Sequence, residues 1–237
     1  MNPRPKELSF WEHLEELRGR LVKSILAIVI GAFIFYLFVD RILAILILPV
    51  GKVIFTSPVD AFLARLYLTL WGGFLLALPV VLYQIWQFAA LALTPKEHRY
   101  ILFWAPLSFF LFIFGALFAY FVMIPISLKF LLGFAGDSIV PMIEIKNYIS
   151  FVGTMVLAFG VVFELPLVLL FLTKIGIATP AFLIQKRRHA IVIILIISAI
   201  LTPPDVFTQI IMAAPLLVLY EIGICVCRWT CRASNLS

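Results

Sequence analysis

The chain has 237 residues, of which 64% are apolar and 13% charged, and a formal net charge of +6. That balance excludes a water-soluble globule, because too little polar surface remains to coat one, and makes lipid the solvent. The 14 prolines suit the same setting, since neighbouring membrane helices can satisfy the carbonyls that proline frees.

The first twenty residues include Arg4, Lys6, Glu7, Glu12, Glu15, Glu16, Arg18 and Arg20. They are too charged and too acidic for a cleaved signal or transit peptide, so residue 1 reads as the mature start. Ser9-Phe10-Trp11-Glu12 has the spacing of a capping box and predicts a helix start at Ser9. Phe10, Leu14, Leu17 and Leu21 share one face of that helix, which can lie on lipid while the acids and arginines meet water. On this plain reading Glu16 and Arg20 only pair at i,i+4, for roughly 0.2–0.5 kcal/mol.

Crossing a hydrocarbon core of about 30 Å takes roughly 20 residues of helix. Six membrane helices are predicted, over 21–39, 62–92, 101–124, 148–172, 190–201 and 206–226, with 1–20 as a cytoplasmic amphipathic helix and the whole chain as a single membrane domain. The third is expected to stop at Pro125. The fifth, before Thr202-Pro203-Pro204-Asp205, is only about 18 Å long at 1.5 Å per residue, and the sixth is interrupted by Pro215. The short pair either sits in a thinned bilayer or dips in and returns. The fold class is all-α and polytopic.

Positive charge sets the orientation. Arg4, Lys6, Arg18, Arg20, Lys23, Lys96, Arg99, Lys174, Lys186, Arg187, Arg188, Arg228 and Arg232 fall on one side; Arg41, Lys52, Arg65, Lys129 and Lys146 fall on the other. Both termini are therefore expected in the cytoplasm, and the basic charge is a matter of topology rather than of nucleic-acid binding. The two longer loops on the far side, 40–61 and 125–147, each keep an apolar run, 42–48 and 130–132, expected to lie at the interface as a cap.

Few residues can carry chemistry. Glu164, deep in the fourth helix and followed by Pro166, costs about 2.5–3.5 kcal/mol on insertion scales, so a functional role is its default. The plainer reading is a carboxyl bonded to a carbonyl that the proline frees. Thr202, Pro203, Pro204, Asp205 and Gln209 form a polar cluster that reads equally as a tight turn or a partner site. Cys225, Cys227 and Cys231 lack the spacing of a structural zinc site and read as reduced apolar fillers. His13, His98 and His189 read as packing at the cytoplasmic edge. No hydrolase or phosphate-binding motif occurs, so neither enzyme activity nor a cofactor is expected.

His13-Leu14-Glu15-Glu16-Leu17-Arg18-Gly19-Arg20 resembles the opening signature of the TatC family, the receptor subunit of the twin-arginine protein translocase. Four further blocks resemble it in order: 78–88 (LPVVLYQIWQF), 115–121 (GALFAYF), 159–166 (FGVVFELP) and 201–209 (LTPPDVFTQ). The first cytoplasmic loop departs from the family pattern, lacking the proline usual before its Ala-Leu and carrying His98 in place of an arginine. The resemblance implies a Sec-independent translocase subunit of the prokaryotic cytoplasmic (inner) membrane. Such a subunit binds the Arg-Arg signal peptide of a folded cargo protein and gathers TatA and TatB into an oligomeric complex driven by the proton-motive force. Position by position it assigns signal binding to Glu16, Glu97, Arg18 and Phe88, and partner or cargo contact within the membrane to Glu164, Thr202, Asp205 and Gln209. Two carboxylates facing the cytoplasm can take two guanidinium groups bidentately, which lysine cannot match. A proton-coupled solute transporter, suggested by Glu164 beside a proline, and a scaffold without cargo contact are the competing readings.

Overall fold

The computed structural model describes residues 10–90, 101–133, 142–201 and 206–234. Ten α-helices make up nearly all of it. Helix α1 (Phe10–Tyr36) runs without interruption from the charged segment into the first apolar span, so the predicted surface helix and first membrane helix are one rod. Then come α2 (Val39–Ile47), α3 (Pro58–Ala89) and α4 (Ile101–Phe118). A π-helical turn at Ala119–Met123 joins α4 to α5 (Ile124–Gly133). The chain continues through α6 (Ile145–Phe163), α7 (Leu165–Lys174), α8 (Pro180–Gln185), α9 (Arg187–Leu201) and α10 (Val206–Ser234). Residues Ser9, Glu97, Thr202 and Asp205, singled out above, lie outside the described residues.

Five stretches are long and apolar enough to cross a bilayer: Trp11–Tyr36, Pro58–Ala89, Phe103–Gly133, Ile145–Lys174 and Val206–Cys231. The chain is a multi-pass membrane protein of the all-α class. Its α9 has 15 residues, about 22 Å at 1.5 Å each, longer than the sequence suggests because it begins at Arg187.

Two proline expectations fail for a shared reason. The third helix does not stop at Pro125, which sits in the first turn of α5, where the missing N–H costs nothing, just past the π turn that reshapes the ladder. Pro215 does not interrupt α10, just as Pro79 and Pro106 lie inside α3 and α4. Pro166 does mark a break. The Glu164 N–H turns back to Val161 O, three residues earlier, and separates α6 from α7.

Small residues set the packing, as expected where lipid removes any hydrophobic drive between helices. Helices α1 and α3 run antiparallel, Gly31 meeting Gly73 and Phe35 lying over Gly72. In the same way Gly115 of α4 meets the carbonyl of Phe159 on α6, and Gly160 meets Phe112. Helices α6 and α7 together pack on α10, with Gly223 against Leu169 and Pro166. Tyr148, Ile149, Val152, Met155 and Phe159 of α6 run down the centre of the main core.

The two expected caps are both helical. Ile42, Leu43 and Leu46 of α2 pack inward, and the Tyr148 hydroxyl donates to the Leu46 carbonyl at 2.7 Å. Phe130 of α5 stacks on Phe207 of α10 with ring centroids 3.7 Å apart. Strands β1 (Val53–Ile54) and β2 (Ile143–Glu144) pair in parallel, Val53 with Ile143 and Ile54 with Glu144, and join the two caps at one end of the bundle. Beneath this clasp Ser57 caps α3. Asp60 receives the Ser57 N–H at 2.7 Å and the Thr56 hydroxyl at 3.0 Å, and lies 3.4 Å from the Lys146 ammonium on α6.

Candidate functional site

The end of the bundle opposite the clasp carries Glu16, Arg18 and Phe88, the described residues among those expected to bind signal. An antiparallel α1–α3 pair places the start of α1 beside the finish of α3. There the His13 ring meets the Phe88 ring edge-on, with centroids 5.9 Å apart. One turn further along α1, Glu16 Oε1 lies 2.5 Å from Arg20 Nη2, and Arg20 Nη1 donates to Gln84 Oε1 at 3.3 Å. The Glu16 side chain is 42% exposed and that of Arg20 only 17%, so the acid faces outward and the base fills the seam between helices. Arg20 Nε is buried there without a partner. Arg18, two residues from Glu16 and so about 200° round the helix, is exposed on another face.

Three aromatic rings hold this end together. Trp86 of α3, Trp104 of α4 and Phe171 of α7 touch edge to face, with centroids 5.3 Å, 5.6 Å and 6.0 Å apart. Leu167 and Ala90 complete the cluster. Such pairs add about 0.5–1.5 kcal/mol each beyond their buried area. The chain leaving α3 towards Glu97 therefore starts from a fixed point at Ala90.

Of the predicted site residues, the structure brings Glu16 and Phe88 to one corner and leaves Arg18 on a separate face of the same helix. Sequence reasoning passed over Gln84 and took Arg20 only as a local ion-pair partner. The four-residue step from Glu16 to Arg20 was visible in the sequence, whereas the meeting with Gln84 depends on how α1 and α3 pack.

The membrane-depth positions separate. Glu164 caps α6, and its Oε2 receives the Ser108 hydroxyl of α4 at 2.5 Å, while its Oε1 is buried without a partner. Ser108 is the one hydroxyl in an otherwise apolar α4. Gln209 donates to the Leu195 carbonyl at 3.0 Å and ties α10 to α9. Arg187, at the start of α9, pairs with Glu221 of α10 at 2.7 Å.

Cys227 is buried and receives the Thr173 hydroxyl at 3.3 Å, Cys225 is exposed, and all three cysteines are free thiols. Among the described residues no three His, Cys, Asp or Glu side chains gather to hold a metal ion. A cavity of about 300 Å³ lies between α1, α2, α3, α4 and α6, lined by Phe35, Leu68, Trp71, Ile113, Val152 and Leu157. Its apolar walls offer no coordination to an ionic solute.

The family described as Sec-independent protein translocase protein (TatC) matches residues 12–215. A protein of that name from Carboxydothermus hydrogenoformans is 43% identical over 229 residues, covering 94% of each chain. One from Aquifex aeolicus is 44% identical over 224 residues, 90% of this chain and 92% of its own. A crystal structure described as the twin arginine translocase receptor TatC superposes with a TM-score of 0.84 at 43% identity, over 91% of this chain and 99% of that one.

Proposed function

The chain belongs to the TatC family of Sec-independent protein translocase proteins, a transport component and not an enzyme, and from that premise we propose that its α1–α3 corner receives the twin-arginine signal of a folded cargo protein. Glu16 and Glu97 are the two acids, each taking one guanidinium through paired, charge-assisted hydrogen bonds. Phe88 offers an apolar wall beside the Glu16 segment, and Arg18, on another face of α1, is a further charge for the signal region. The corner faces the cytoplasm by the charge balance of the loops, and the membrane is the prokaryotic inner membrane. TatA and TatB assemble on the same subunit through Glu164, Thr202, Asp205 and Gln209, in an oligomeric complex driven by the proton-motive force.

The observation that carries this reading is the contact of His13 with Phe88. It seats the Glu16 segment against the end of α3, from which the chain leads directly to Glu97. The test is crosslinking of a synthetic Arg-Arg signal peptide to the protein in membranes. Glu16→Ala combined with Glu97→Ala is expected to reduce the adduct at least tenfold, the scale of losing charge-assisted bonds worth about 1.5–3 kcal/mol each. Undiminished crosslinking would refute the assignment.

A further inference from the structure

On the reading of Glu16 as a cargo-binding acid, on which this step rests, we infer that Arg20 is a built-in competitor for that acid. The resting protein holds its own guanidinium where the first cargo arginine goes, so cargo binding is an exchange.

The geometry of Arg20 is that of a displaceable occupant. Its Nη2 lies 2.5 Å from Glu16 Oε1, the same charge-assisted contact an incoming arginine would make. Its Nη1 already reaches Gln84 Oε1 on the neighbouring helix, so a released Arg20 has an acceptor in place. Its Nε is buried with no acceptor, a condition that penalises the resting arrangement rather than locking it.

Exchange has a consequence for selectivity. One cargo guanidinium that replaces Arg20 on Glu16 swaps one ion pair for another of the same kind, and the swap alone gains little. A second guanidinium, meeting a second acid, supplies the surplus. A lysine lacks the planar fork, so an ammonium competes poorly for a carboxylate that already holds an arginine. Arg20 thereby weakens every signal by the same factor, so that signals with one arginine or a lysine, already the weaker binders, are the first to fall below a useful affinity. It sets an affinity threshold by subtraction.

The experiment measures binding of fluorescent synthetic signal peptides carrying Arg-Arg, Lys-Arg or Lys-Lys pairs to the full-length purified protein. With Arg20→Gln, the Arg-Arg and Lys-Arg peptides are both expected to bind about twofold tighter, the release of one partly exposed i,i+4 ion pair. Gln84→Glu gives Arg20 a carboxylate of its own and is expected to produce the same shift with Arg20 present. It also carries the test if Arg20→Gln does not fold. Added to Arg20→Gln, Gln84→Glu is expected to change nothing further. Unchanged or weaker Lys-Arg binding in both single variants would overturn the inference. Glu16→Gln separates the two levels. If it abolishes binding while neither variant tightens binding, the competitor role alone falls; if it binds as well as the unaltered protein, the site reading falls too.

Discussion

Gly73 shows how much one absent side chain decides. A Cβ there would lie 2.6 Å from the Ala32 backbone, and a Cβ on its neighbour Gly31 would lie 2.5 Å from the Gly73 carbonyl oxygen. Backbone cannot turn aside as a rotamer can, so substitution must push the helices apart. Gly73→Leu is expected to cost about 1–3 kcal/mol or more, read as a lower Tm of the detergent-solubilised protein, and to weaken signal binding by parting His13 from Phe88. An unshifted Tm would show that the seam tolerates widening. Sequence reasoning found Glu164 because a carboxylate in an apolar run is conspicuous in any reading. It missed Ser108 because a hydroxyl in a membrane helix can satisfy itself on the preceding turn and signals nothing alone. Arg20 was legible as a local pair, and only packing revealed that it also faces Gln84.

At the scale of elements, hydropathy reveals apolar stretches long enough to span a bilayer, but not the ends of the helices, which reach back to Trp11 in the first span and on to Gly133 in the third. Proline was harder to read. Pro166 coincides with a break and Pro79, Pro106 and Pro215 do not, since the outcome depends on whether neighbours or a π turn absorb the freed carbonyl. The clasp at the far end was invisible in the sequence: Asp60 and Lys146 lie 86 positions apart, and two-residue strands leave no periodic pattern. Asp60 both caps α3 and meets Lys146, so Asp60→Ala removes two functions where Lys146→Ala removes one. Asp60→Ala is therefore expected to lower thermal stability more than Lys146→Ala, with the double variant close to Asp60→Ala alone. Equal effects of the two single changes would show that the ion pair outweighs the cap.

Across the whole molecule, the two ends of the bundle are built differently. The clasp end is tied by a strand pair, a helix cap and the stack of Phe130 on Phe207. The other end is held by an aromatic triad and an ion pair, and it exposes carboxylates. Family, fold and transport role were legible because five ordered blocks of the sequence carry them. The arrangement of the binding corner was not, because it arises from contacts between residues some 64 to 75 positions apart across an antiparallel pair. The most direct test of that corner is a photoreactive side chain placed at position 88 in inside-out membrane vesicles supplied with a folded twin-arginine precursor. The account expects a crosslink to the signal region that disappears when the arginine pair is replaced by two lysines, and none from the same probe at position 53. Equal labelling of the lysine form, or labelling from position 53 alone, would contradict it.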